Sequence, residues 1–187
     1  VPFGEFIPFA DFIGEMLPFV GEFNEGTSDL TEGTDPIVIE TEYGGIAPLV
    51  CFDSIFPEFA REAVDNGADM IAIVTNDSWF NDSVGIYTHL RHAQLRAIEN
   101  RRYIMRAANT GVSAFIDELG RVIACTEPLT KDTADCEIYS IKSETLYTKI
   151  GDVFLYISFI IIIYFIIYSI FDKLRRRSNG NYSTSQQ

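Results

Sequence analysis

The sequence predicts an α/β domain that is followed by a membrane-spanning helix and a short basic tail. Between residues 45 and 125, short apolar runs alternate with stretches of helical spacing, which is the order expected of an α/β domain. Near the carboxyl end, residues 153–171 form a 19-residue run without charge, proline or glycine. A chain of 187 residues, of which 47% are hydrophobic, has room for one domain and such an appendage.

Residues 1–45 precede the regular part and are rich in phenylalanine, proline, glycine and acidic residues. This composition predicts a short helix followed by a long surface loop. The chain opens with Val-Pro-Phe-Gly, without an initiator methionine or a signal segment. We therefore expect it to be a fragment of a longer protein.

The regular part contains two strand-helix units and then a strand meander. The expected strands cover residues 46–51, 70–75, 103–108, 112–117 and 122–125, and the expected helices cover residues 57–66 and 87–100. Gly67 follows the first helix as a C-cap. In the turn at residues 109–111 we expect Gly111 to adopt a positive φ.

The apolar run at residues 153–171 matches the roughly 20 residues that a helix needs to cross about 30 Å of hydrocarbon. A buried helix of a soluble core is the alternative, but such helices are usually shorter and interrupted by polar positions. Arginines at 175–177 follow, and the positive-inside rule places them in the cytoplasm. We expect a catalytic domain at 1–150, a transmembrane helix at 151–172 and a basic, disordered cytoplasmic tail at 173–187.

The net charge of −13 is unevenly distributed along the chain. The body is acidic, whereas the segment after residue 171 holds one acidic and four basic residues. Nucleic-acid affinity comes largely from lysine and arginine that displace counterions from the phosphate backbone. An acidic body therefore argues against a nucleic-acid partner.

The three cysteines, Cys51, Cys125 and Cys136, show no CxxC or cysteine-histidine spacing, so neither a zinc site nor a full disulfide framework is expected. A bridge between Cys125 and Cys136 stays open, because their separation in sequence cannot establish it. His89 and His92 share a helix face without a third ligand, so we expect structural hydrogen bonds and no metal. No cofactor is expected.

Cys51 stands at the end of a predicted strand and shortly before a predicted helix. A nucleophile at such a turn is held by the sheet and exposed at its edge. Nearby backbone N–H groups and the helix dipole can favour a thiolate there and stabilise an oxyanion. The alternative is that Cys51 is a small buried apolar residue.

Several segments resemble, in order and spacing, the nitrilase-type domain of the apolipoprotein N-acyltransferase family. They are VPFGEF at 1–6, PLVCFD at 48–53, NDSWF at 76–80, HLRHAQLRAIENRR at 89–102 and RAANTGVSAFID at 106–117. The resemblance implies a nitrilase-like α-β-β-α sandwich whose amino-terminal part is missing. It also implies a bacterial inner membrane protein with its catalytic domain on the periplasmic side.

The resemblance further implies a Glu-Lys-Cys catalytic set in which Cys51 is the nucleophile. Cys51 takes an acyl group from a phospholipid as a thioester, which the α-amine of a lipid-modified cysteine in an apolipoprotein then attacks. Glu5 matches the supporting glutamate of the family. The catalytic lysine and the general-base glutamate fall before Val1, so the chain alone is expected to be inactive.

Four further positions are implied to support the site or to contact substrate: Phe52, Asp53, Asn76 and Trp79. The family commonly has tyrosine and glutamate where this chain has Phe52 and Asp53. The differences remove a phenol hydroxyl and shorten the reach of a carboxylate by one methylene. Trp79 resembles a substrate-facing lid near the membrane surface, and an interfacial or core aromatic is its alternative.

Two other classes of function stay open. A membrane-anchored nitrilase-type amidohydrolase would release ammonia from a small amide or nitrile with the same thiolate, but such chemistry does not need the apolar run at 153–171. A non-catalytic membrane-tethered binding domain, or an inactive truncated product, would account for the missing lysine.

Overall fold

The computed structural model describes residue 33, residues 36–81 and residues 83–183, with side chains as far as Lys173. The chain divides into two compact units, residues 1–149 and residues 150–187. The expectations for Glu5 and for a short amino-terminal helix lie outside the described residues.

Within the described residues, six strands form one mixed sheet in the first unit. In chain order and in spatial order they are β1 (Ile39–Thr41), β2 (Gly44–Val50), β3 (Met70–Asn76), β4 (Tyr103–Asn109), β5 (Ala114–Ile116) and β6 (Val122–Cys125). Strands β2, β3 and β4 are parallel, whereas β1, β5 and β6 pair antiparallel. Helices α1 (Pro57–Asp65) and α2 (Val84–Asn100) make the crossovers that the parallel pairs require.

The predicted order of two strand-helix units and a strand meander is confirmed, with differences at the ends of elements. Strand β2 ends at Val50, and the next five residues form a 3₁₀ helix, the Cys51 turn (Cys51–Ile55). Helix α2 begins three residues earlier than predicted. The reason is its cap, because the side chain of Ser83 accepts a hydrogen bond from the N–H of Gly85 at the first turn.

Strand β5 is shorter than the predicted strand at 112–117. Ser113 leaves the regular ladder, since its N–H donates to Thr126 Oγ1 over 3.2 Å. The turn before it also differs from the prediction, because Thr110 and not Gly111 adopts the positive φ, at 63°.

Two short elements have no clear signal in the sequence. Strand β1 lies where the composition predicts a surface loop, and its three residues are all exposed, so apolar alternation is lacking. It pairs with β2 through a tight turn in which Gly44 has a φ of 121° and Thr41 Oγ1 donates to the Gly44 carbonyl over 2.7 Å. Helix α3 (Leu146–Ile150) is little more than one turn, too short for a periodic pattern.

The hydrophobic core lies on the face of the sheet that α1 and α2 cover. Its members alternate along the strands and recur on the two helices: Ala47, Leu49, Ala60, Ala63, Val64, Ala68, Ile71, Ile73, Ile86, Ala93, Ala97, Ile104, Val112, Ala114 and Ile116. Burying an isoleucine or leucine side chain stabilises the fold by roughly 1.5–3 kcal/mol. The core therefore holds the central strands β2, β3 and β4 in place.

The opposite face of the sheet is also apolar. Ile46, Pro48, Ala72, Met105 and Phe115 alternate with the core residues and are half-buried. Strands with apolar residues on both faces are typical of a sheet that is covered on both sides.

The second unit contains helix α4 (Val153–Ser183). Its segment Val153–Lys173 is long and apolar enough to cross a membrane, and it is not buried in the structure. The helical backbone continues to Ser183, which differs from the disordered tail expected from residue 173 onward. Lysine and arginine are good helix formers, so the basic cluster extends the helix and does not end it.

Candidate active site

Cys51 occupies the first position after β2 and has a φ of 51°. This left-handed conformation is uncommon for a residue with a side chain, and it persists only where the surroundings hold it. The residue is partly exposed, so its thiol is neither sealed in the core nor fully in solvent. A strained residue at a strand end is a candidate for function.

Three side chains hold the Cys51 turn by hydrogen bonds to its backbone or to that of Val50, the residue before it. Asp53 Oδ2 accepts from the N–H of Val50 over 3.2 Å, and Ser54 Oγ donates to the carbonyl of Cys51 over 2.7 Å. From α2, Arg96 Nη1 donates to the carbonyl of Ile55 over 2.8 Å. The two ends of the turn are thus tied to the sheet and to the helix.

Beneath the turn lies a buried polar network that includes Asp77, His89 and Arg106, which are 0%, 2% and 3% exposed. Asp77 Oδ1 lies 2.8 Å from His89 Nδ1, and Asp77 Oδ2 lies 2.6 Å from Arg106 Nη2. The other ring nitrogen, His89 Nε2, lies 3.2 Å from Ser54 Oγ and 3.3 Å from the carbonyl oxygen of Cys51. The network therefore reaches the backbone of Cys51 itself.

The opposite charges of Asp77 and Arg106 stabilise each other in this network. Burial opposes ionisation of Asp77, but the hydrogen bond from His89 and the charge of Arg106 outweigh it and hold the pKa of Asp77 below its ordinary value. Burial lowers the pKa of Arg106, and the Asp77 carboxylate opposes this shift. A negative charge on Cys51 would also favour charged Arg106. The guanidinium therefore places positive potential near the thiol.

The parallel strands bring the predicted site residues to one edge of the sheet. Val50 pairs with Val74, and Asn76 pairs with Asn109, so β2, β3 and β4 end side by side. In open α/β sheets this carboxyl edge is the usual location of a ligand site. Asn76 Oδ1 accepts from the N–H of Ser78 and from Asn109 Nδ2, over 3.2 and 3.3 Å.

Two aromatic residues of the predicted set differ in their environment. The ring of Phe52 stacks on the His89 ring, with centroids 5.7 Å apart and planes at 19°. Trp79 lies in the short 3₁₀ helix after β3 and is 82% exposed, which does not fit the alternative that it is a core residue. Phe52 therefore contacts the polar network, Trp79 is exposed to solvent, and the roles of both residues stay predictions.

The sequence did not single out Asp77, Ser54 or Arg106 as site residues. The available signal was Arg106, a charged residue in the middle of an apolar strand, since such a group is rarely buried without a partner. His89 makes the structural hydrogen bonds that the sequence predicts, whereas His92 is only partly buried. No group of three or more potential metal ligands occurs in the described part of the chain.

All three cysteines are free thiols in the structure. Cys125 is exposed at the end of β6, and Cys136 is partly exposed, with its Sγ 3.3 Å from the carbonyl oxygen of Glu137. The bridge between these two residues, left open by the sequence, is not formed. Cys51 differs from both in standing over the buried network.

Comparison with known sequences gives a consistent relationship. The apolipoprotein N-acyltransferase of Geobacter metallireducens is 38% identical over 154 residues, which cover 82% of this chain and 29% of that protein. The apolipoprotein N-acyltransferase of Haemophilus influenzae is 30% identical over 181 residues, covering 96% of this chain and 34% of that protein. The predicted resemblance is confirmed, and the chain spans about a third of the length of these curated relatives.

A solved structure and a family model agree on the fold. A mutant of the amidase from Nesterenkonia sp. AN1, which shows Michael addition of acrylamide at its active-site cysteine, aligns with a TM-score of 0.52 and 18% identity. The alignment covers 72% of this chain and 53% of that one, and confirms the nitrilase-like fold. The Carbon-nitrogen hydrolase model matches residues 9–145. This chain therefore belongs to the carbon-nitrogen hydrolase family.

Proposed function

We propose that this chain is the carboxyl-terminal part of an apolipoprotein N-acyltransferase in which Cys51 is the nucleophile. The observation that carries the proposal is the position of Cys51 at the carboxyl edge of the parallel strands, with a φ of 51° and a buried ionic network beneath it. The sequence similarity to N-acyltransferases over most of the chain supports the choice of reaction.

The proposed reaction has two acyl-transfer steps. In the first, the Cys51 thiolate attacks an ester carbonyl of a phospholipid, the bond to the glycerol oxygen breaks, and the lysophospholipid leaves with a proton. In the second, the α-amine of a lipid-modified cysteine attacks the thioester, the C–S bond breaks, and the amine loses a proton as the amide forms. A thiolate suits both steps because it is a good nucleophile and a workable leaving group.

The other predicted residues receive roles in this scheme. Asp53 supports the nucleophile by fixing the end of β2 through Val50, and Phe52 packs on His89 below the thiol. The exposed ring of Trp79 offers apolar contact area to an acyl chain. Asn76 offers a polar group at the same edge, and Glu5 supports the catalytic centre.

The resemblance assigns the catalytic lysine and the general-base glutamate to sequence that would precede Val1. It also assigns to that sequence a second sheet, which would complete the α-β-β-α sandwich by covering the second apolar face. The half-buried residues Ile46, Met105 and Phe115 on this face support such a covering layer. On this proposal the chain is inactive by itself and active only within the complete protein.

The proposed location is the bacterial inner membrane. The apolar segment Val153–Lys173 would cross it, with the basic residues 175–177 in the cytoplasm and the catalytic domain in the periplasm. Both substrates carry lipid chains and reside in the membrane, so an enzyme that is anchored there would be close to both. An amidohydrolase acting on small soluble amides would gain nothing from this helix, which favours the acyltransferase.

Mass spectrometry of the complete protein after incubation with phospholipid tests the proposal. An acyl adduct on Cys51, lost when the lipid-modified peptide acceptor is added, is the expected result. Cys51→Ser should form no thioester and abolish turnover, whereas Cys125→Ser and Cys136→Ser should be nearly silent. Undiminished turnover by Cys51→Ser, or an adduct that maps to Cys125, would overturn it.

A further inference from the structure

The carbonyl oxygen of Cys51 lies within hydrogen-bond distance of two buried side chains. Ser54 Oγ donates to it over 2.7 Å, and His89 Nε2 lies 3.3 Å away. Behind the ring, Asp77 Oδ1 lies 2.8 Å from His89 Nδ1. We infer that the Asp77–His89 pair, acting through Ser54 and the Cys51 carbonyl, is a positioning element that fixes the backbone of the nucleophile.

The mechanism follows from the rigidity of the peptide unit. A peptide bond is planar, so holding the carbonyl of Cys51 also fixes the plane that joins Cys51 to Phe52. The left-handed φ of 51° is an unfavourable conformation for a residue with a Cβ, and without these contacts the chain would relax toward a common one. Such relaxation would displace the Cβ atom of Cys51, and with it the thiol, from the position that the left-handed backbone gives it.

The position of the His89 ring is itself closely determined. Phe52 stacks on the ring at 5.7 Å, and the ring of Phe80 approaches at 6.2 Å with an interplanar angle of 69°. Asp77, whose second oxygen binds Arg106, fixes the rotation of the ring within this aromatic slot. Because Nδ1 is directed at Asp77, Nε2 must point at the Cys51 turn.

Arg106 anchors the network from β4. Its Nε donates to the carbonyl of Val112 over 3.2 Å, while Nη2 binds Asp77. Its remaining Nη1 is buried and has no hydrogen-bond partner among the described residues. Burying a polar group without a partner is unfavourable, so this network costs stability at Arg106 Nη1. A network that is kept beneath the thiol despite this cost fits a role in holding the site.

This inference rests on the proposed function only for the identity of the reaction, because the positioning can be measured without phospholipid. The complete protein is treated with iodoacetamide, and mass spectrometry follows the alkylation rate of Cys51, with Cys125 in the same digest as an internal reference. Acyl transfer from phospholipid is measured in parallel, and thermal unfolding reports the folded fraction of every variant.

Two substitutions of His89 separate its two contacts. Asn at this position can reach Asp77 but not the Cys51 carbonyl, whereas Gln places an amide near the former Nε2. His89→Asn should slow alkylation of Cys51 and lower kcat about ten-fold, with KM unchanged, which corresponds to ~1.4 kcal/mol. His89→Gln should recover most of this loss. His92→Asn, one turn further along α2, is the matched control and should alter neither rate.

Ser54→Ala is a second, smaller change that removes the hydroxyl hydrogen bond to Cys51 and should slow alkylation in the same direction. If the His89→Asn and Ser54→Ala proteins are folded and alkylate Cys51 at the wild-type rate, the inference is wrong, whatever the protein acylates. If the variants slow alkylation but wild type never forms a phospholipid-derived thioester, the positioning stands and the proposed function fails.

Discussion

The carboxylate of Asp77 packs against the backbone of Gly111 so closely that a Cβ atom at Gly111 would overlap Asp77 Oδ2. The glycine is therefore required because a side chain would not fit. Its backbone conformation is not the reason, since its φ is outside the left-handed region. Through this contact the turn between β4 and β5 forms one wall around the buried ion pair of Asp77 and Arg106.

Gly111→Ala should destabilise the protein because the new methyl group displaces the Asp77 carboxylate from its partners. We expect a loss of about 2–3 kcal/mol in the free energy of unfolding, as for other overpacked sites. Denaturant unfolding of the complete protein measures it. Gly33→Ala is the control, since nothing lies within 4 Å of a Cβ there. Equal stability of the two variants would contradict the described packing.

Asp77→Asn should remove a pH-dependent part of the stability. The pKa of Asp77 lies below its ordinary value of 3.8, because the His89 hydrogen bond and the Arg106 charge outweigh the effect of burial. The contribution of its charge is therefore complete above about pH 4 and is lost as the pH falls through the lowered pKa.

The free energies of unfolding of wild type and Asp77→Asn should thus differ most near neutral pH and converge in acid. Near neutral pH we expect a difference of about 3 kcal/mol, as for a broken buried ion pair. Unfolding curves between pH 3 and pH 7 measure the difference. Asp135→Asn changes an exposed carboxylate and serves as the control. A difference that stays constant over this range would show that folding does not lower the pKa of Asp77.

Trp79→Ala should weaken use of the lipid substrate and leave the fold intact. The side chain is 82% exposed, so its removal leaves no cavity, while an acyl chain would lose contact area. Phospholipid titration should show a KM raised several-fold, which corresponds to about 1 kcal/mol, with an unchanged melting temperature. Tyr43→Ala removes an exposed aromatic next to the opposite end of β2 and should leave KM unaltered.

Helix α4 should place the end of the chain in the cytoplasm. A membrane-impermeant maleimide added to cells with an intact inner membrane should not label Ser183→Cys, because the basic residues 175–177 remain inside. Glu42→Cys, in the exposed turn before β2, should label readily as the positive control. Ready labelling of Ser183→Cys would reverse the topology.

Much of the fold was predictable because its signals are local. Apolar runs bounded by turn residues indicate β2, β3 and β4, and a continuous apolar stretch indicates the membrane-spanning part of α4. Strand β1 and helix α3 escaped prediction, since three exposed residues and a single turn carry no periodic pattern. The start of α2 is set by the Ser83 cap, a residue type that favours helix amino termini, and lies three residues before the start that apolar spacing predicts.

The sequence by itself determined that Cys51 lies at the carboxyl end of an apolar strand segment, that an apolar helix follows the domain, and that the motifs around Cys51 resemble those of one family. Only the tertiary structure decided which side chains meet behind Cys51. Asp77 is 12 residues from His89 and 29 from Arg106, so no local periodicity relates them. They converge because parallel pairing sets the ends of β3 and β4 side by side, and because α2, which carries His89, packs against β4.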